Sequence, residues 1–193
     1  MPLSLCRPFT IMIGVWLLSL ASLVNAHPHV FIEGQYRVEL DQTTIDRFEA
    51  SWKFDLFTSS SLILEHDTNF DSQFQGKEKQ IVAEKLKSFE AFDFFMKVLV
   101  DGNVVRPSSV IVSDITIQDQ QILLIFSVVM PDPINLHKQT LSLSFGDDEF
   151  YFALMPPESG LLLLRGMLAE TCTPNSREAE EMAIDSWADL SCD

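Results

Sequence analysis

Two stretches of this chain gather residue types whose spacing could do chemistry. The first is Ala26-His27-Pro28-His29, which holds two of the four histidines. Cleavage after Ala26 would leave His27 first, with a free α-amine beside its imidazole. In an extended segment residues i and i+2 share a side, so His29 could turn toward the same ion. An amine and two imidazoles form a nitrogen set suited to nickel, cobalt, zinc or copper. Pro28 has no N–H and cannot supply a deprotonated amide, which favours an amine-and-imidazole chelate over a square-planar amino-terminal site. The alternative is a solvated terminus carrying two idle histidines.

The second stretch is the twelve-residue run from Asp67 to Glu78, DTNFDSQFQGKE. Asp67, Asn69 and Asp71 fill positions one, three and five of a calcium loop of EF-hand type. Gln73 would give its backbone carbonyl at seven, Phe74 is the apolar residue at eight, and Glu78 is the bidentate acid at twelve. A hard cation needs several converging oxygens, and a tight loop between two helices supplies them. Position six is Ser72 instead of glycine, and a non-glycine residue in the left-handed conformation costs about 1–2 kcal/mol. Two readings stand: weak calcium binding, or an acidic helix–helix connection that keeps the shape without the ion.

Around these stretches the chain divides simply. Arg7 is the only charge in residues 1–26; an apolar run from Ile11 to Val24 follows it, and small or short residues surround Ala26. That three-part pattern reads as a cleaved signal peptide, and the run is short against the about 20 residues of a spanning helix. The expectation is therefore an exported, periplasmic domain over 27–193 with no membrane span after cleavage. Without Arg7 the mature chain has 12 basic residues against 28 acidic ones, 12 − 28 = −16 in formal charge. Such a balance repels nucleic acid and attracts cations, so no nucleic-acid partner is expected. Cys172 and Cys192 remain after Cys6 leaves with the signal, and an even pair in an exported protein reads as a disulfide. A dithiol metal site is the alternative, though nothing nearby supplies further ligands.

Alternation of apolar and polar residues predicts strands over His29–Leu40 and Thr44–Phe54, joined as a hairpin by Asp41-Gln42-Thr43. Thr58 is placed to cap a short helix running to about Glu65. Val82, Leu86 and Phe89 give Glu78–Phe89 helical spacing, so a helix–loop–helix insertion spans about 57–91. Strand patterns return at Phe94–Pro107, where Asp101-Gly102 or Gly102-Asn103 is a tight-hairpin signal, and continue at Val110–Ile117, Ile122–Met130, Thr140–Phe145, Glu149–Leu154 and Gly160–Met167. The tail after Thr173-Pro174 reads as a C-terminal helix, with Ala179, Met182, Ala183, Ser186 and Trp187 on one face. The fold class is thus mostly β (α+β), an antiparallel β-sandwich-like domain with an EF-hand-like insertion and a C-terminal helix. No nucleophile elbow, phosphate loop or helical histidine pair is present, so no enzyme activity is expected. The acids Asp147, Asp148 and Glu149 read as a solvated turn.

These features together resemble the exported domain of unknown function 1007 family. The resemblance rests on AHPHVFIE (Ala26 to Glu33), the W-x-F-D element at Trp52, Phe54 and Asp55, the Asp67–Glu78 loop, the Asp-Gly hairpin, the Phe150-Tyr151 pair and the terminal cysteines. It implies a periplasmic protein, of a family labelled as a periplasmic component of an ABC-type transport system, that accompanies an inner-membrane metal permease of nickel/cobalt or related type. Ser72 departs from that family's usual loop glycine.

Overall fold

The computed structural model describes residues 30–193. Its β1 (Val30–Glu39) buries Ile32, Gly34, Tyr36 and Val38 and leaves the residues between them toward solvent, as period-two geometry requires. β2 (Thr44–Phe54) pairs with it antiparallel, Ile32 opposite Phe54 and Arg37 opposite Glu49. The other edge of β1 is shared. β8 (Phe152–Met155) runs parallel beside Val30–Glu33, and β9 (Leu162–Arg165) runs parallel beside Tyr36–Glu39. Between those two strands the chain loops out, held by the Gln35 amide nitrogen donating to the Gly160 carbonyl (2.8 Å) and to Ser159 Oγ (2.8 Å).

β5 (Ser109–Gln118) and β6 (Gln121–Asn135) complete a six-stranded sheet of order β5-β6-β2-β1-β8, with β9 also on β1. A second, five-stranded sheet has the order β10-β11-β7-β3-β4. Its members are β3 (Met96–Val100), β4 (Asn103–Val104), β7 (Leu141–Phe145), β10 (Cys172–Glu178) and β11 (Ser186–Cys192). Central β7 is buried along its whole length. Asp101 and Gly102 make the two-residue β3–β4 turn with φ of 52° and 76°, the left-handed pair that a tight hairpin demands.

The two sheets meet at Tyr36. Its ring stacks on Phe145 of β7 at 4.3 Å and 6°, and its hydroxyl donates to the Ser144 carbonyl at 2.7 Å. Full burial pushes the phenol pKa well above its ordinary value, so it remains a donor. Gly34, two residues back on the same face, lies under the Phe145 ring: a Cβ there would sit 2.6 Å from Phe145 Cδ2. Glycine is required by the approach of the sheets. Nearby, Trp52 is fully buried among Phe54, Phe89, Phe94, Phe95 and Phe126.

Between β2 and β3 lie α1 (Leu56–His66), α2 (Gly76–Leu86) and a 3-10 segment, Lys87–Phe95. The insertion therefore runs slightly longer than its pattern suggested. Asp55, not Thr58, caps α1: Oδ1 accepts from the Thr58 amide (2.9 Å) and Oδ2 from the Thr58 hydroxyl (2.7 Å). Buried Ser59 fastens the helix to the sheet by accepting from the Ile122 amide at 3.0 Å. Phe94 and Phe95, expected in a strand, instead follow Asp93 through three consecutive left-handed residues (φ 50°, 50° and 55°). That conformation turns two adjacent rings onto Trp52, at 6.1 and 5.9 Å, which an extended strand with opposite-facing neighbours cannot do.

The C-terminal helix is a hairpin instead. β10 pairs antiparallel with β11 from Cys172 opposite Cys192 to Glu178 opposite Ser186, and β11 pairs with β7. Ala188, Leu190 and Cys192 are buried at period two, and backbone pairing to β7 outweighs the helical spacing of Ala179–Trp187. Pro174 is tolerated because β10 is an edge strand. The disulfide Cys172–Cys192 closes the open ends of this hairpin, and a loop of this size contributes about 3 kcal/mol in the chain-entropy picture.

Gly34→Ala should destabilise the protein by about 1–3 kcal/mol through overpacking against Phe145, read by denaturant unfolding. Wild-type stability in that variant would show that the ring moves aside freely.

Candidate functional site

The loop from Asp67 to Glu78 is held by its own side chains. Asp67 ends α1 and is almost wholly buried; its carboxylate accepts from the Asp71 amide (3.2 Å) and the Ser72 amide (2.9 Å). Asn69 Oδ1 accepts from the Asp71 amide (2.9 Å), and the Asn69 side-chain nitrogen donates to Asp71 Oδ2 (3.0 Å). Asp71 Oδ1 accepts from the Gln73 amide at 2.9 Å. The chain curls around the side-chain oxygens of Asp67, Asn69 and Asp71 at positions one, three and five, as an ion-binding loop does. Ser72 adopts φ 60°, so position six takes the left-handed turn that glycine would make, at a strain of about 1–2 kcal/mol. Phe74 is buried and anchors the loop to the core cluster with Val82 and Leu86.

Glu78 departs from a ligand's posture. It is only 8% exposed, and its Oε1 accepts from both the Thr68 amide (2.8 Å) and the Thr68 hydroxyl (2.6 Å). Those two hydrogen bonds, the hydroxyl's foremost, hold its carboxyl below the usual glutamate range. To ligate an ion with both oxygens Glu78 must release Thr68. The backbone and the side chains at one, three and five have the arrangement of such a loop, whereas position twelve is engaged with Thr68. Among the described residues no three His, Cys, Asp or Glu side chains form a group ready to hold a metal.

Neighbouring side chains stiffen the insertion. Lys79 of α2 pairs with Asp114 on β5, and Lys85 pairs with Glu65 across the two helices at 2.6 Å. Buried His66 closes α1, and its Nε2 has no hydrogen-bond partner. A cleft of about 440 Å³ runs beside the loop between α1 and the β5–β6 turn, lined by Ser60, Leu64, Asp67, Phe70 and Asp119 among others.

His27 and His29 lie outside the described residues. β1 starts at Val30, whose amide donates to the Tyr151 carbonyl (3.3 Å). The next residue, Phe31, donates its amide to Asp55 Oδ2 (3.2 Å). Asp55 thus joins the start of β1 to the start of α1. Burial raises its pKa, and the Thr58, Phe31 and Phe57 hydrogen bonds outweigh that and lower it. The Asp55-x-x-Thr58 spacing is the local signal that points to this cap, which the sequence reading gives to Thr58. Asp147 had no such signal: read as part of a solvated turn, it is buried, and its carboxylate accepts from the Glu149, Tyr151 and Phe152 amides at 3.0, 2.9 and 2.9 Å. It organises the turn that receives Val30.

The lowered pKa of Glu78 means that the unfolded chain binds its proton more readily than the fold does. Its contribution to stability is complete above the ordinary glutamate pKa of about 4.3 and is lost as pH falls through the lower folded value. Thr68→Val should raise the Glu78 pKa and shift that loss to higher pH, followed by carboxyl NMR titration and by unfolding between pH 2 and 6. An unmoved Glu78 titration would contradict the Thr68 contact.

No described helix is long and apolar enough to cross a membrane. Comparison with curated proteins and with solved structures finds no match to the chain. A family model described as "Protein of unknown function (DUF1007)" matches residues 12–190. The match takes in the start of β1, the loop between the helices and almost all of the terminal hairpin, and the chain belongs to that DUF1007 family.

Proposed function

We propose that this is a non-catalytic, exported accessory protein that binds a transition-metal ion through the α-amine of His27 and the imidazoles of His27 and His29, and serves an inner-membrane metal permease. The observation that carries the reading is the position of the motif. His29 is covalently joined to Val30, the first residue of a strand fixed on both sides, by the Tyr151 carbonyl and by Asp55 through Phe31. A chelate built on His27 and His29 would therefore hang directly on a rigid strand, which reduces the ordering cost of binding. The Cys172–Cys192 disulfide suits an oxidising compartment, and the excess of 28 acidic over 13 basic residues raises the local concentration of cations.

A second reading has its own support in the Asp67 loop: a structural or interaction module in which calcium stiffens the helix–loop–helix insertion. The left-handed Ser72 and the amides gathered by Asp67 are the backbone such a loop needs. The engaged Glu78 sets the affinity low, on the order of 10⁻⁴–10⁻³ M as in extracellular modules.

One calorimetric series on protein beginning at His27 separates the two. Nickel, zinc and copper should bind with one site per chain, and His27→Ala with His29→Ala should abolish that binding. Millimolar calcium should raise the melting temperature, and Asp67→Ala should remove the rise without affecting the transition metals. Transition-metal binding that survives loss of both histidines would overturn the first reading; a melting temperature indifferent to calcium would overturn the second.

A further inference from the structure

We propose that the outward face of α1, with the cleft beside it, docks a cationic amphipathic helix of another protein. A helix packed on a core ordinarily turns a polar face to water. α1 does not. Its inner face is settled: Ser59 and His66 are buried, and Leu62 and Ile63 pack against the core. Yet from Leu56 to Leu64 the helix carries no charged residue, and Leu56, Phe57 and Leu64 are 57%, 82% and 78% exposed. Across the cleft Phe70 is 79% exposed, on a left-handed backbone (φ 60°) that bulky side chains disfavour. Large apolar side chains gathered on one face and left in water mark an interaction surface.

The face has the form of a helix seat. Positions 57, 60, 61 and 64 share one side of α1, so exposed Ser60 and Ser61 form a notch between Phe57 and Leu64. Their hydroxyls donate to the Leu56 and Phe57 carbonyls at 2.6 and 3.1 Å. The notch is thus covered on docking without stranding a polar group, as ridge-into-groove packing needs. Beside it the cleft of about 440 Å³, with Leu64 and Phe70 in its walls, receives anchor side chains from a helix laid along α1.

Charge decides the occupant. Of the acids in the cleft, Asp67 gives its carboxylate to two loop amides, and exposed Asp119 is in no ion pair among the described residues. Among the described lysines and arginines, Lys77, Lys138 and Arg165 alone stand outside the ion pairs, and none of the three lines the cleft. A second copy would bring another formal charge of −15 and almost no free cation, so it is repelled, as is an anionic bilayer. A helix with lysine or arginine beside its apolar stripe meets Asp119 with opposite charge and Phe70 with a cation over the ring.

The test is an NMR titration of the purified protein, with EDTA present so that the outcome is separate from both metal readings. The probe is a synthetic helical peptide with leucines at i, i+3 and i+4 flanked by lysines; its twin carries glutamates in place of the lysines. The lysine peptide should shift the amides of α1 and Phe70 and bind about tenfold or more tightly than the twin. Phe57→Ser with Leu64→Ser should weaken that binding about tenfold or more and leave the melting temperature at or above wild type, because both side chains are exposed. The comparison of the two peptides uses the wild-type chain, so it stands even where the double variant fails to fold. Equal binding of the two peptides, or shifts confined to other surfaces, overturns the proposal. So does a concentration-dependent dimer that the two substitutions break, which makes a second copy the occupant. Binding to phosphatidylglycerol vesicles that the same substitutions abolish overturns it in favour of a lipid surface.

Discussion

The contact on which the rest depends is the seating of Tyr36 and Gly34 against Phe145. It brings a six-stranded and a five-stranded sheet together through one aromatic stack and one buried hydroxyl. The stack requires a position without a side chain beside it. Because Gly34 and Tyr36 both belong to β1, this contact fixes the strand with which β2, β8 and β9 all pair in the larger sheet. β2 carries Trp52 and leads into α1, and β8 and β9 share the other edge. A buried phenol with its partner in place adds about 1 kcal/mol net, but losing the partner strands a polar group, so the contact specifies the sheet pairing more than it strengthens it.

From that strand the chemistry spreads in two directions. Toward the insertion, Asp55 couples the start of β1 to the cap of α1, and α1 ends in the Asp67 loop. Toward the opposite edge, Val30 meets the turn built around Asp147, and beyond it a cavity lined in part by Met155 and Met182. The Asp67 loop and the cavity beside Asp147 are therefore separate features on one scaffold. Oxygen donors gather where the backbone turns tightly, in the Asp67 loop.

Much of the frame was legible from local pattern. β1 and β2 announce themselves because one face is buried and the other wet, and Asp101-Gly102 because only left-handed residues close so short a turn. The Asp67 loop was legible because its side chains are recruited at fixed offsets. What failed was decided by partners distant in sequence. The residues from Ala179 to Trp187 have helical spacing, but β7 offered β11 a backbone to pair with. The left-handed run at Asp93–Phe95 exists because Trp52 draws both rings inward. The role of Asp147 depends on amides that follow it only once the turn has formed.

The central claim is that processing creates a nitrogen-rich metal site at the first residue of the mature protein. The most direct measurement is the N-terminal sequence and metal content of the protein isolated from its own compartment without chelators. The account predicts a chain that begins at His27 and carries close to one equivalent of a transition metal. A chain that begins elsewhere, or one that begins at His27 and is free of transition metal, would contradict it.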